Sequence, residues 1–197
     1  MENRKHWLKS SLFIWAALPL IDLAFLISTG NLGTNPQEFI ERYLGTCTLV
    51  LILVTYSISA RFNKAIPHII SCRRMLGLFS FVYMICHFFA YIIFEHSFIM
   101  VDFFKDFLNR PFVFFGTLAF FMTIPLAVTS NSLSIKVLGK WWKKLHSMIT
   151  IIVLLSLAHY FFHKAGKNDF LWPFIATVVF AILYVAKKWG YSVVRKS

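Results

Sequence analysis

Seven histidines among 197 residues are the groups best suited to chemistry in this chain, and four of them fall in or beside apolar stretches. His87 follows Arg74 by 13 residues, and His159 follows Lys144 by 15. If helices enter an apolar layer at those cations, a rise of about 1.5 Å per residue carries both imidazoles roughly 20 Å inward. Two imidazoles at one depth on separate helices can fill both axial positions of a haem iron. Neutral imidazole is a good iron ligand, and a haem fits between the helices of a bundle. The same pair also suits a plainer role, a hydrogen-bonded contact that holds two helices together.

The remaining histidines are read one at a time. His146 precedes His159 by 13 residues, again roughly 20 Å along a helix, a separation that would suit two stacked haems. Yet 13 steps of about 100° leave the two rings about 140° apart around an ideal helix. A π-bulge would realign them. Arg73 and Arg74 occupy the level where a matching histidine would stand, so His68 is the nearby candidate partner. His163, four residues beyond His159, shares its face and is either an interfacial residue or a ligand for a shallower haem. His6, His68 and His96 are otherwise read as solvated or interfacial. Asp22 lies inside an apolar stretch, where it could face a cavity, accept a proton or snorkel outward. Cys47, Cys72 and Cys86 form no C-x-x-C or C-x-x-C-H pattern and are read as small buried apolar residues rather than metal or covalent-haem ligands.

These side chains must be positioned by membrane spans. The chain is 58% hydrophobic and 14% charged, against roughly 45–50% and about 25% in soluble domains. Six apolar stretches, approximately 11–27, 43–60, 75–94, 111–128, 145–162 and 170–186, are each near the length a helix needs to cross a bilayer. The expected fold is therefore all-α, a polytopic six-helix bundle forming one domain over residues 1–197. No G-x-G-x-x-G or P-loop is present, which excludes the commonest nucleotide-binding modules. The basic start (Arg4, Lys5, Lys9) precedes a stretch longer than a signal-peptide core with no A-x-A site, so span 1 is read as retained. The N-terminus, the 61–74 and 130–144 segments and the tail hold 15 of the 20 Lys and Arg residues, including Arg61, Lys64, Arg195 and Lys196. Because such an excess marks the cytoplasmic side, both termini are expected there. The net charge of +12 is thus a topology signal rather than a nucleic-acid footprint. Trp7, Trp141, Trp142, Trp172 and Trp189 stand near span ends, as in an aromatic belt.

Several spaced motifs carry a resemblance over nearly the whole chain. They are Leu32-Gly33-Thr34-Asn35-Pro36, Arg73-Arg74-Met75-Leu76-Gly77-Leu78 leading to His87 and Tyr91, Arg110-Pro111, Thr129-Ser130, Leu138-Gly139 with Trp142, Leu145-His146, and His159-Tyr160. In this order they resemble the MsrQ (YedZ) family, within the ferric-reductase-type transmembrane domains. The resemblance implies six helices, b-type haem, and His87, His146 and His159 as the haem-associated residues. It implies electron transfer across a bacterial inner membrane to a periplasmic molybdenum-containing reductase, MsrP, which repairs oxidised methionines. It further implies the quinone pool or a cytosolic flavin reductase as donor, and FMN as an associated cofactor, although no residue here places a flavin or quinone.

The expectation is an electron-transfer subunit in which His87 and His159 ligate haem b and His146 supports electron uptake, with one haem or two. Arg73, Arg74, Lys140, Lys143 and Lys144 are topology determinants first, and secondarily partners for haem propionates or an acidic donor. One alternative is a haem-free proton-coupled transporter using Asp22, His87 and His159. Another is a scaffold subunit whose polar residues merely join helices.

Overall fold

Breaker chemistry sets the helix boundaries. Asn35 caps the second long helix, its Oδ1 accepting from the Glu38 N–H at 3.3 Å, and Pro36 occupies the first helical position, where its missing N–H costs little. The computed structural model describes residues 2–58, 66 and 68–194, apart from the side chains of residues 2–4 and 189–194. Ala60, Arg61, Lys64, Arg195 and Lys196, and the side chains of Arg4 and Trp189, lie outside what is described.

The helices are α1 (Glu2–Thr29), α2 (Pro36–Ile58), α3 (Arg73–His96), α4 (Met100–Asn109), α5 (Pro111–Val128), α6 (Ser132–Leu138), α7 (Lys140–Ser147), α8 (Ile149–Ala165) and α9 (Leu171–Val194). A short 3-10 turn, Ile69–Cys72, leads into α3. Among the described residues there is no strand, and six helices are long and apolar enough to cross a membrane, with α7 and α8 counted as one span. The all-α, six-span expectation therefore holds.

Boundaries differ from the sequence reading where charge conceals helix. α2 begins at Pro36 rather than near residue 43, because Glu38 sits in its first turn, where a carboxylate complements the helix dipole. The 130–144 segment, read as a loop, folds into α6 and α7. Asn131 caps α6 by accepting from the Ser134 N–H at 2.7 Å, and Gly139, at φ 49° and ψ −116°, makes a junction that a side chain would strain. Helices α1 and α5 run unbroken through Pro19 and Pro125, as membrane helices can.

Four helices make the core. α2 packs most closely on α3, and α5 on α8, while α3 meets α5 and α2 meets α8 across the middle. α1 lies against α3, and α9 against α8. In lipid, helices associate through close packing and hydrogen bonds rather than through expulsion of water, so small residues at the seams matter. Along α2 the inward face reads Gly45, Thr48, Ile52 and Thr55, helical spacing with little bulk; a Cβ on Gly77 of α3 would lie 3.5 Å from Thr55 Cγ2. The outer faces of α1 (Phe13, Ile14, Leu18, Phe25) and α9 (Phe174, Val178, Ile182) remain exposed and apolar, as lipid-facing surface requires. Cys47, Cys72 and Cys86 are all free, with Cys72 buried.

One hydrogen bond ties the peripheral α1 to this core. Tyr83 of α3 is fully buried and its hydroxyl donates to the Ala16 carbonyl at 2.8 Å. Tyr83→Phe should cost about 1 kcal/mol, the net worth of such a bond. It should lower the melting temperature in detergent, and a variant that melts with the parent protein would remove this role from Tyr83.

Candidate haem-binding site

The paired histidines come from two different helix pairs. His87 sits in α3, which packs on α2, and His159 sits in α8, which packs on α5. Their ring centroids lie 6.0 Å apart with planes at 77°. Depth counted from sequence thus places them correctly, because the rise of a helix is fixed whatever its sequence.

The His159 ring is held by backbone rather than by another side chain. Nδ1 of His159 lies 2.7 Å from the Phe112 carbonyl oxygen, near the start of α5. The carbonyl can only accept, so Nδ1 carries the proton and Nε2 keeps its lone pair. His87 Nδ1 is buried beside the Glu41 main chain, in a contact that falls short of hydrogen-bond geometry. Phe112 also covers the His159 ring, centroids 6.1 Å apart.

These residues fit a haem. Two imidazoles sharing one metal, each bonded at about 2 Å, place their ring centres roughly 6 Å apart, which matches the pair. Among the described residues there is no cluster of three or more His, Cys, Asp or Glu that could cage a metal unaided. Two nitrogen donors suit a metal whose other positions come from a macrocycle, and a neutral imidazole with its second nitrogen committed to a carbonyl is the usual metal-binding form.

The other sequence candidates fall elsewhere. His146 is in the last turn of α7; its Nε2 lies 3.0 Å from Thr129 Oγ1, and its ring stacks on Trp142 at 4.0 Å. Trp142 in turn donates Nε1–H to the Thr129 carbonyl at 3.0 Å, so this tryptophan is a positioned residue and more than a belt residue. A tightened turn at Met148, whose N–H reaches the Leu145 carbonyl, separates α7 from α8, and the ideal-helix phase between His146 and His159 does not apply. His68 precedes the 3-10 turn in left-handed backbone, φ 71°, with no described contact to His146. His163 stacks on His159 at 6.3 Å and against Phe112 at 5.6 Å. Asp22 accepts from the Tyr43 hydroxyl at 2.8 Å rather than pairing with either histidine.

Sequence reasoning missed three features. The Phe112 carbonyl has no side-chain signature. His96, expected to be solvated or interfacial, is buried: α4 folds back over the end of α3 and brings Asp106 Oδ2 within 3.5 Å of His96 Nε2. The same oxygen accepts from Tyr91 Oη at 2.9 Å and pairs with Arg110 at 3.1 Å. The amphipathic run over α4 was the available signal. Glu41, just outside the 43–60 stretch read as a span, lies within α2 with Oε1 buried and without a hydrogen-bond partner.

Comparison with known proteins identifies the family. Residues 44–157 match the family described as ferric reductase like transmembrane component, a stretch that includes His87 and His146 and stops just short of His159. A protein of Herminiimonas arsenicoxydans named "Protein-methionine-sulfoxide reductase heme-binding subunit MsrQ" is 42% identical over 94% of this chain and 86% of its own length. A protein of the same name from Ralstonia nicotianae is 35% identical over 91% of this chain and 83% of its own length. The magnetosome protein MamZ of Paramagnetospirillum magneticum is 33% identical over 98% of this chain, which spans only 33% of that longer protein. No solved structure matches. With the family's matched region covering most of the chain and relatives above 30% identity covering nearly all of it, this chain belongs to the MsrQ family of ferric reductase-like transmembrane components.

Proposed function

We propose that this chain is a haem b-binding electron-transfer subunit of a methionine-sulfoxide reductase system, a single transmembrane domain over residues 1–197 set in a bacterial inner membrane with both termini cytoplasmic. The observation that carries the reading is the His87–His159 pair, with ring centres 6.0 Å apart and Nδ1 of His159 committed to the Phe112 carbonyl. The heme-binding name of the relatives supports it. His87 and His159 would hold the haem. When bound, the haem supplies a reversible one-electron iron couple.

The chain's own groups do the rest. Phe112 O fixes the His159 tautomer and raises its basicity as a ligand. The Phe112 ring and the surrounding apolar helices keep water from the pair, which holds the local dielectric low. His146, fixed by Thr129 and Trp142, would support electron uptake from a quinol or a cytosolic flavin reductase, with FMN as an associated cofactor. As a third haem-associated residue it would need to release Thr129 or use Nδ1. Electrons leave toward the periplasmic molybdenum-containing reductase MsrP, which carries out the substrate chemistry.

A reduced-minus-oxidised visible spectrum of the detergent-purified protein should show a b-type signal at about one haem per chain. His87→Ala and His159→Ala should each abolish it, and His146→Ala should leave the signal of the pair in place. Full haem content in both of the first two variants would sink the ligand assignment, and a colourless parent protein expressed with ample haem would favour the proton-coupled transporter.

Topology is checked separately by C-terminal fusions. A fluorescent-protein fusion should glow and an alkaline-phosphatase fusion should be inactive; the reverse pattern would invert the orientation.

A further inference from the structure

Two glycines sit against the two histidine rings in the same register. A Cβ on Gly116 would lie 2.7 Å from Nδ1 of His159 and 3.0 Å from its Cε1. One on Gly45 would lie 3.1 Å from Cε1 of His87 and 3.4 Å from both its ring nitrogens. Each glycine stands four residues after the carbonyl that its histidine faces: Gly116 after Phe112, and Gly45 after Glu41.

That register has a physical cause. In an α-helix the Cα–Cβ bond tilts toward the N-terminus, so the side chain at i+4 overlies the turn that holds the carbonyl of residue i. With hydrogen at i+4, the carbonyl is uncovered and an imidazole on the neighbouring helix can reach it. The carbonyl accepts the N–H of residue i+4 within its own helix and has a second lone pair for the imidazole. The arrangement occurs once in each close-packed pair, α2 with α3 and α5 with α8. Among the described glycines only these two meet a histidine. Gly77 meets Thr55 alone, Gly166 has nothing within 4 Å, and Gly30, Gly33 and Gly139 stand in open space at positive φ.

Resting on the reading that His87 and His159 hold the haem, we infer that Gly45 and Gly116 are the positioning residues of the site. Each uncovers a helix carbonyl beside one ligand imidazole: Phe112 O seats His159 through Nδ1 and leaves its Nε2 lone pair for the metal, and the Glu41 main chain lies beside His87 Nδ1 without a formed hydrogen bond.

The test compares purified Gly45→Ala, Gly116→Ala and Gly166→Ala in detergent. It reads haem per chain by pyridine haemochrome, the low-spin electron paramagnetic resonance signal, and thermal stability. At 2.7 Å something must shift, so Gly116→Ala should lose most of the low-spin signal. At 3.1 Å a few tenths of an ångström suffice, so Gly45→Ala should keep near-parental haem content with a displaced low-spin g value. Gly166→Ala should match the parent. If Gly116→Ala does not accumulate, Gly45→Ala decides alone. Low-spin signals identical to Gly166→Ala would overturn the inference while loss of haem in His87→Ala and His159→Ala left the ligand reading standing. A lowered melting temperature with an unaltered low-spin signal would also overturn it, since it would mark the glycines as packing residues. Retained haem in both histidine variants would remove the reading on which the inference rests, and the inference with it.

Discussion

The hydrogen bond between His159 Nδ1 and the Phe112 carbonyl is the contact on which the arrangement depends. An imidazole in a hydrocarbon layer has one donor and one acceptor, and each is costly if left unmatched. A carboxylate partner would bring a charge that must itself be desolvated. A helix carbonyl brings none, because it is already present and half-used within its own helix. The choice imposes a distance, however. The partner helix must come close enough for its backbone to be touched, and this limits what can stand at the seam. The four-helix core, its small residues and the parallel placement of α3 and α8 all meet that demand.

Charge is handled differently at the bundle ends. Lys167 and Arg42 both pair with Glu38, joining the α8–α9 connection to the start of α2. Lys164, largely buried, reaches Asp169 at 2.5 Å, and Asp106 gathers Tyr91, Arg110 and His96 over the end of α3. Exposed members of this set contribute little individually because water screens them. The buried ones contribute geometry: they hold the connections against the end of the bundle nearest His163. At the other end Thr129, Trp142 and His146 interlock through neutral groups. A polar but uncharged cluster can change partners at lower cost than a buried ion pair.

What was legible in the sequence followed from quantities that local context barely alters. Rise per residue put His87 and His159 at one level, and apolar length gave the six spans. What was illegible depended on tertiary approach. A main-chain acceptor such as Phe112 O leaves no mark in residue type, and a seam glycine such as Gly116 looks like any other glycine until its neighbour is known. His96 sits at the end of α3 by any count; only the folding back of α4 makes it interior. The phase between His146 and His159 assumed one continuous helix, and a single tightened turn at Met148 removed the premise. Charge misled in the other direction, since Glu38, Glu41 and the 130–144 cations read as loop and proved helical.

The relation to MamZ sharpens what the transmembrane unit can and cannot determine. Nearly all of this chain is matched in that protein, yet the match occupies only a third of it. The same helical unit is therefore compatible with different surroundings. The histidine pair touches backbone and aromatic side chains of the core, whereas the elements that differ most from plain spans, α4, α6 and α7, lie at the two ends. Substitutions confined to those ends leave the imidazole contacts in place, because no described hydrogen bond of His87 or His159 reaches them. A histidine pair seated within the four-helix core can then be kept while the ends of the bundle change.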